Sequence, residues 1–401
     1  MTEWLTERDL LILTEIYNNR VMGASQIRRA YFGNMLYAYN RIKKLEKMGY
    51  LCGKPVLEGR RKLTEAYYVT DKGISWINVK NPRQSNKNRP NNQFQIKKQL
   101  AINEVFVRII QLENKAGRFA EEQVWQWIEA RETKERYNMN RGDIISGCLV
   151  NKVTGSKYGV YVPIETQNID NLLKWHHTEM SRHILVRDNI VLCSTPELFK
   201  AYRNMDTIGG SIRVLPFEQG INLIWNLLTD NEKIKSLYET EMHIPRDTIT
   251  VDKSNLFASH RTEDCLLVEL LTNDISRMCF IHKYYRASKE LPLKILCWDT
   301  QADIIRSWNK LEGITLYPVK WNNNAFLEGV ENEYRSGITY KKPKTENSQS
   351  KIPISLSLPD EMWSFLIEKC RNSDSLSLAQ ALTYIINNTE EYQQYLQEIN
   401  Q

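Results

Sequence analysis

Two carboxylates, Asp143 and Glu165, lie about twenty residues apart, each beside an apolar run of the kind that forms a β-strand. The second run, YVPI, ends at Glu165, and Gln167 follows two positions later. Carboxylate oxygens are ligands that suit Mg²⁺, and a bound Mg²⁺ polarises a phosphodiester and activates water. A further carboxylate, Glu129, lies upstream in QVWQWIEARE. Glu129, Asp143, Glu165 and Gln167 are therefore a candidate catalytic set for phosphodiester cleavage, with Asp143 and Glu165 as metal ligands.

This stretch resembles the PD-(D/E)xK nuclease superfamily, in which an Asp and a Glu-x-Lys on adjacent strands hold one or two divalent cations. In that superfamily the lysine helps to position or deprotonate the attacking water, and here Gln167 occupies its position. Two hypotheses follow. Either the chain is an Mg²⁺-dependent nickase or nuclease, or it needs no cofactor and Glu165 caps or pairs with nearby groups in a non-catalytic scaffold.

The middle of the chain resembles itself at an offset of 104 residues. The offset aligns three pairs, which are Asp143 with Asp247, Glu165 with Glu269, and Cys193 with Cys297. With a gap of two residues, IRVLPF (212–217) then aligns with ITLYPV (314–319). We interpret this as a tandem duplication of an α/β unit, with repeats at 98–217 and 218–330; the alternative is two similar segments of independent origin. In the second repeat Leu271 replaces Gln167, and leucine cannot act on water.

The N-terminal segment, residues 1–80, has the pattern of a winged helix. Thr6 precedes a helical apolar pattern, SQIRRAYF forms a second short helix, and MLYAYNRIKKLEKMGY forms a third. In the third helix Ala38, Ile42 and Leu45 share one face. Two strand-like runs, YLCGKPVL and KLTEAYYVT, follow and are joined through EGRR, so arginines lie at the tip of a hairpin. Such a fold places its third helix in the major groove of DNA.

Positive charge is concentrated in this N-terminal segment. Residues 1–98 contain 19 Lys and Arg against 8 Asp and Glu, hence +11, and the overall +6 leaves −5 for the other 303 residues. That asymmetry is typical of a module that faces phosphates, although a solvated basic face or a winged helix used only for protein pairing remains the alternative. The candidate DNA-binding residues are Arg28, Arg29, Tyr37, Tyr39, Asn40, Arg41, Lys43, Lys44, Arg60, Arg61 and Lys62.

Two polar segments divide the chain further. Residues 81–97 are rich in Pro and Asn and are predicted to be a linker, as are residues 331–350. Residues 351–401 give an alternating strand and two helices, too little to bury a core without a second chain. This segment resembles a ribbon-helix-helix domain. The resemblance implies a homodimer and DNA contacts from Lys351, Ser355, Ser357 and Ser377; the alternative is a pairing module without DNA contact.

Composition excludes several classes of function. No apolar run approaches the roughly 18 residues that span a bilayer, and the N-terminus has no signal-peptide pattern. The seven cysteines are scattered without a C-x-x-C, which argues against a zinc site and a disulfide framework. A paired-histidine relaxase site, a P-loop and a nucleophile elbow are also absent from the sequence. We expect a cytoplasmic protein, associated with the nucleoid or a plasmid.

The winged-helix pattern ending in YYVTDKGISWI, the helix KKQLAINEVFVRII, and the GDIISG and VPIET strands occur in that order. Together they resemble the replication-relaxation family of Gram-positive plasmids and other mobile elements. The resemblance implies a DNA-handling role in regulation, replication or transfer. The predicted fold class is α+β multidomain, with a winged helix, a duplicated restriction-endonuclease-like core and a ribbon-helix-helix. The predicted function is sequence-specific binding of double-stranded DNA, and the sequence does not indicate a membrane partner or any small-molecule or peptide effector.

Overall fold

The structure, a computed structural model, describes residues 5–58, 60–79, 82–118, 122–164, 168–183, 185–205, 210–252, 255, 257–285, 291–308 and 312–319. These residues form a mixture of helices and sheets, in agreement with the predicted α+β class. The chain divides into two compact units. Unit 1 comprises Met1–Thr166, Leu192–Ser194 and Phe217–Asp230, and unit 2 comprises Gln167–Val191, Thr195–Pro216 and Asn231–Gln401. The predicted linker at 331–350 and the ribbon-helix-helix-like segment at 351–401 lie outside the described residues.

Unit 1 begins with three helices and a small antiparallel sheet. The helices are α1 (Glu7–Asn18), α2 (Ala24–Tyr31) and α3 (Met35–Lys47). The strands are β1 (Met22–Gly23), β2 (Leu51–Glu58) and β3 (Arg61–Val69), in the order β1-β3-β2. β2 and β3 form the predicted hairpin, with Leu51 paired to Val69 at its base and Glu58 to Arg61 at its tip. α1 starts with a capping box, in which the side chains of Thr6 and Asp9 each accept the other's backbone N–H.

The chain leaves α3 through Gly49, whose φ of 77° is a left-handed conformation that glycine adopts without steric cost. The backbone N–H of Tyr50 donates to the carbonyl of Leu45 at 3.0 Å, which satisfies one of the last carbonyls of the helix. Apolar side chains of the three helices and the hairpin share one core. Val107, from the long helix that follows, belongs to the same core.

The described part of the predicted linker at 81–97, residues 82–97, is folded in the structure. It contains the short helix α5 (Ser85–Asn88) and the first residues of α6 (Gln93–Lys115), after the short helix α4 (Asp71–Ile74). Ser85 Oγ donates to the carbonyl of Val69 at 2.7 Å, and Asn88 Nδ2 donates to the carbonyl of Tyr17 at 2.8 Å. The polar side chains of this segment form hydrogen bonds with backbone groups of neighbouring elements. A polar composition is therefore compatible with packing.

The rest of unit 1 contains a strand meander. β4 (Trp125–Glu129) pairs antiparallel with β5 (Gly147–Asn151), which pairs antiparallel with β6 (Lys157–Tyr161). α7 (Ala130–Arg136) follows β4, and α10 (Phe217–Leu228) belongs to the same unit. Thr229, just after α10, accepts a hydrogen bond from the indole N–H of Trp125 at 3.0 Å. The helix expected to open the second repeat at residue 218 therefore packs on unit 1.

Unit 2 carries the other helices and a second sheet. It contains α8 (Ile169–Arg182), most of β7 (Asp188–Cys193), α9 (Pro196–Arg203), β8 (Ile212–Pro216) and α11 (Asn231–Met242). Its sheet consists of β9 (Thr250–Val251), β10 (His260–Arg261), β11 (Leu266–Glu269), β12 (Leu293–Trp298) and β13 (Ile314–Val319), in the order β13-β12-β11-β10-β9. The pairs β9–β10 and β10–β11 are antiparallel, and β11–β12 and β12–β13 are parallel. α12 (Ile275–Tyr284) and α13 (Asp299–Arg306) complete the described elements.

Within the described ranges, six cysteines are free thiols, and four of them, Cys148, Cys193, Cys265 and Cys297, are buried. Burial raises the pKa of Cys297 to about 12, so this thiol is protonated at neutral pH and unreactive. None of the helices described here is long and apolar enough to cross a membrane.

Candidate nucleic-acid interface

Helix α3 has one buried and one exposed face. Ala38, Ile42 and Leu45 are at most 1% exposed, as the helical periodicity predicts. On the other face Tyr37 and Tyr39 are 54% and 42% exposed, although aromatic rings are usually among the more buried side chains. The helix starts at Asn34, whose side-chain oxygen accepts the backbone N–H of Tyr37 at 3.0 Å.

Four predicted DNA contacts lie on this exposed face. Tyr37, Tyr39, Asn40 and Lys44 are all exposed, and the first three have polar groups that suit base edges. The exposed Tyr37 ring also contacts Phe32 edge to face, with ring centroids 5.7 Å apart. That contact orients the ring at the first turn of the helix. The face can therefore present several hydrogen-bonding groups from a fixed backbone.

Arg41, a predicted DNA contact, instead joins α3 to α1. Its guanidinium donates two hydrogen bonds to the carboxylate of Asp9, with Arg41 Nε 2.7 Å from Oδ1 and the second bond from Nη2 to Oδ2. Asp9 is 1% exposed. Burial by itself would raise the pKa of Asp9, but the hydrogen bonds from Arg41 and Thr6 outweigh it and hold the pKa below its usual range. Arg41 therefore positions the candidate reading helix.

The tip of the β2–β3 hairpin carries exposed positive charge. Arg60 and Arg61 are exposed, and neither has an ion pair with another described residue. Lys62 differs, because its Nζ lies 3.1 Å from a carboxylate oxygen of Glu65. Hydrogen bonds from Lys62, and to a lesser extent from Tyr67, lower the pKa of Glu65. Of the three predicted wing residues, the two arginines are thus the ones available to phosphates.

Lys43 lies between helix α3 and the hairpin. Its Nζ is 2.8 Å from Glu46 and 3.3 Å from Glu65, and it lies 5.8 Å from the centre of the Tyr67 ring. The hydrogen bond to Glu46 is the main reason that the pKa of Lys43 is raised. These contacts hold the hairpin beside the exposed side of α3. Lys43 is therefore a link within the fold rather than an uncompensated charge.

Helix α2 contributes two predicted DNA contacts with different surroundings. Arg28 is half-buried. Arg29 makes a two-point ion pair with Glu104 of α6, at 2.5 and 2.6 Å, and thereby fastens α2 to α6. Burial alone would raise the pKa of Glu104, but the Arg29 guanidinium outweighs it and the pKa is lowered. Arg29 thus belongs to the packing of unit 1.

The sequence reasoning missed the acidic partners of these basic residues. Asp9 was detectable as part of a capping box, because Thr6 and Asp9 have the Thr-x-x-acid spacing. Its pairing with Arg41, 32 residues away, and that of Glu104 with Arg29, 75 residues away, are long-range contacts without a local pattern. The capping box was therefore the only available signal.

The candidate catalytic residues of the first repeat have structural contacts. Glu129 is the N-cap of α7, and its carboxylate accepts the backbone N–H groups of Arg131 and Glu132, both at 2.9 Å. Burial raises the pKa of Glu129. Asp143 is buried, and its Oδ2 accepts the backbone N–H of Asn140 at 2.9 Å. Glu165 and Gln167 lie outside the described residues, as do Lys351, Ser355, Ser357 and Ser377 of the C-terminal segment.

The corresponding carboxylate of the second repeat, Glu269, is satisfied by its own loop. It is 2% exposed, and Thr272 donates to it twice, through its backbone N–H to Oε1 at 2.5 Å and through its hydroxyl to Oε2 at 2.9 Å. Burial raises the pKa of Glu269, and the nearby Arg213 guanidinium opposes that rise. Asp247, its expected partner, lies in an exposed 3₁₀ turn.

Arg213 connects strand β8 to the loop that follows β11. Its Nε donates to Thr272 Oγ1 at 3.2 Å, its Nη1 donates to Ser211 Oγ at 2.7 Å, and its Nη2 lies 3.7 Å from Asp274. Both members of the Arg213–Asp274 pair are almost fully buried, with side-chain exposures of 8% and 1%. The positive charge near Glu269 is thus supplied by an arginine of the chain itself.

Comparison with known proteins identifies one family. The model of the replication-relaxation family matches residues 13–186, a range that starts within α1 and ends just after α8. The match includes the candidate reading helix, the hairpin and Asp143, and it supports the predicted family resemblance over that range. No curated protein and no solved structure matches the chain.

Proposed function

We propose that this chain is a sequence-specific binder of double-stranded DNA that acts in the replication, transfer or regulation of a mobile element. The exposed face of α3 beside the two wing arginines carries the proposal. The order α1-β1-α2-α3-β2-β3 with a β1-β3-β2 sheet supports a winged helix. The description of the matched family, replication-relaxation, supports the assignment to replication.

The binding mode follows from the chemistry of the two surfaces. Tyr39 and Asn40 on α3 offer hydrogen-bonding groups to base edges in the major groove, and Asn pairs well with adenine. Arg60 and Arg61 at the hairpin tip would contact phosphates, which positions the protein without reading sequence. Arg41 has no direct role in this mode, since it holds α3 through Asp9.

The remaining parts of the proposal concern the core and the assembly. The core is a duplicated, non-catalytic scaffold. In its favour, each copy has three antiparallel strands, β4-β5-β6 or β9-β10-β11, followed by helix, strand, helix and strand. The hydrogen bonds that Glu269 accepts from Thr272 also favour a scaffold. Residues 351–401 would pair two chains into a homodimer, which would double the number of DNA-binding surfaces.

The experiment that tests the proposal is fluorescence anisotropy with DNA from the protein's own element and with random DNA, over a range of salt concentrations. Each phosphate contact contributes about 0.9 to the slope of log K against log salt, so the double variant Arg60→Ala/Arg61→Ala should lower the slope by about 2. Asn40→Ala should weaken binding to the specific DNA by about 1–3 kcal/mol and leave random DNA nearly unaffected. Arg306→Ala, an exposed arginine of unit 2, is the matched control.

Two results would contradict the proposal. If the wild-type chain binds specific and random DNA equally at about 150 mM salt, it is not a sequence-specific binder. If it cleaves supercoiled plasmid with Mg²⁺, and Asp143→Ala and Glu165→Ala abolish cleavage but retain binding, the nuclease alternative replaces the non-catalytic core.

A further inference from the structure

A cavity of about 270 Å³ lies inside unit 1, lined by residues of α1, α6 and β4. Part of its lining is apolar and aromatic, with Phe106 from α6 and the indole rings of Trp125 and Trp127 from β4. The rest is polar, and three of the lining residues are the carboxylates Glu15, Glu129 and Glu132, against one lysine, Lys152. A concave site with aromatic walls and a few convergent charged groups is typical of small-ligand sites.

Glu15 lacks an ionic partner in this cavity. No Lys, Arg or His nitrogen of the described residues lies within 4.0 Å of its carboxylate, which accepts a long hydrogen bond of 3.4 Å from Asn19 Nδ2. The side chain of Glu15 is half-buried, and protein atoms surround it on most sides. Burial and the neighbouring Glu132 raise the pKa of Glu15 to about 7. A cation placed here would stabilise a charge that the fold leaves uncompensated.

Asn19, also part of the lining, has an unsatisfied acceptor. The residue is 1% exposed, and its Nδ2 donates to the carbonyl of Glu15 at 2.9 Å. Its Oδ1 is buried and has no hydrogen-bond partner among the described residues. An unpaired buried acceptor costs about 1–3 kcal/mol, but this oxygen has almost no accessible surface, so a ligand would reach it only after the side chain turns. The carboxylate of Glu15 is therefore the group that the cavity offers to a cation.

The arrangement suits an organic cation better than a metal ion. Among the described residues, the glutamates of the cavity do not belong to a group whose ligand atoms converge within 4.8 Å. A metal ion needs such convergence, whereas an ammonium or guanidinium group has several N–H donors that reach separate acceptors. Trp125 and Trp127 also line the cavity, and indole rings attract cations within about 6 Å of the ring centre.

We propose that the cavity between α1, α6 and β4 binds a small organic cation, an alkylammonium or alkylguanidinium compound, whose charged end lies against Glu15. Its alkyl part would lie against Phe106 and the indole rings. The site is separate from the exposed face of α3, so it stands independently of the proposed DNA binding.

The test is isothermal titration calorimetry of the full chain with agmatine and putrescine at pH 8, without DNA. We expect saturable binding of one molecule per chain, weakened about tenfold or more in Glu15→Gln, which corresponds to about 1.4 kcal/mol. Glu132→Gln should weaken binding less than Glu15→Gln does, because Glu132 is more exposed and pairs with Arg136 at 2.6 Å. Glu135→Gln is the matched control, because Glu135 lies on the same helix α7, is paired with Arg83 and does not line the cavity. Its affinity should stay within about twofold of wild type.

Four outcomes would overturn the proposal. The first is the absence of saturable binding of either amine at about 10 mM. The second is equal weakening by Glu15→Gln and Glu135→Gln, which would mean diffuse attraction to an acidic surface. The third is binding of inorganic phosphate that Lys152→Met removes, since Lys152 and the indole N–H of Trp127 are the donors an anion would use. Binding of 1-pentanol as strongly as the amines would equally exclude a role for the charge.

Discussion

Replacing Arg41 with methionine separates the two roles that an arginine on α3 can have. If Arg41 contacts DNA, the variant should fold normally and bind DNA weakly. If it holds α3 to α1, as its two hydrogen bonds to Asp9 indicate, the variant should lose stability first. Methionine retains the length and apolar character of the side chain, so the change removes the charge and the donors with little change in packing.

The magnitude follows from the burial of the partner. Asp9 is 1% exposed, and breaking a buried ion pair by removing one member costs about 3–5 kcal/mol, because a buried charge is left without compensation. Thr6 still donates two hydrogen bonds to Asp9 Oδ2, at 2.8 Å from its backbone and 2.7 Å from its hydroxyl. We therefore expect the lower end of that range, about 3 kcal/mol. Arg61→Met, at an exposed position, should change stability by no more than about 0.5 kcal/mol.

The assay is chemical denaturation followed by far-UV circular dichroism, together with a double-mutant cycle. Asp9→Asn/Arg41→Met should be less destabilised than the sum of the single variants, since neither partner is then left charged and alone. The pKa of Asp9 is lowered by folding, so the pair's contribution is complete above the usual Asp pKa and is lost as the pH falls through the lowered value. The difference between wild type and Arg41→Met should therefore shrink as the pH falls, because the buried carboxyl that has lost Arg41 takes up a proton before the paired carboxyl of wild type does. A variant with wild-type stability and the DNA-binding defect of Arg61→Met would refute the structural role.

Three further predictions concern other parts of the fold. Arg213→Ala should destabilise unit 2 by about 3 kcal/mol, the lower end for a broken buried pair, because Arg277 still lies 4.0 Å from Asp274. Arg246→Ala, at an exposed pair, should cost less than about 1 kcal/mol in the same denaturation experiment. Glu15→Gln should raise the unfolding midpoint at pH 8 but not at pH 4. Folding raises the pKa of Glu15 from 4.5 to about 7, so ionisation of Glu15 lowers the stability of the folded chain as the pH rises through that window, by on the order of 3 kcal/mol. Gly147→Ala should lower the free energy of unfolding by about 1–3 kcal/mol, because a Cβ there would lie 2.7 Å from a backbone oxygen of β4. Gly142→Ala, with nothing within 4 Å of the added Cβ, should leave it unchanged.

The buried face of α3 was predictable from the sequence, and the partners of its charged residues were not. Ala38, Ile42 and Leu45 recur at helical spacing, and that periodicity depends only on which residues must leave water. The destination of Arg41 depends instead on where Asp9 lies in the fold, 32 residues earlier. A local pattern contains no information about such a contact, so exposed and paired arginines look alike in the sequence.

The predicted linker at 81–97 shows the same limit in a different form. Its composition, rich in Pro, Asn and other polar residues, is typical of segments that cannot bury a core. In the structure Ser85 and Asn88 are buried because they donate hydrogen bonds to the carbonyls of Val69 and Tyr17. The sequence shows that the segment is polar. It does not show that these polar side chains satisfy backbone groups, because those groups belong to elements that only folding brings next to the segment.

These pairings also change how the basic charge of the N-terminal segment should count in DNA binding. Arg29, Arg41, Lys43 and Lys62 each pair with a carboxylate of the fold, so each would have to give up that partner to neutralise a phosphate. The salt dependence of binding reports the number of phosphates that are neutralised, whatever the net charge of the segment. A slope set by a few wing and helix contacts is therefore expected, well below the value that a net charge of +11 would suggest.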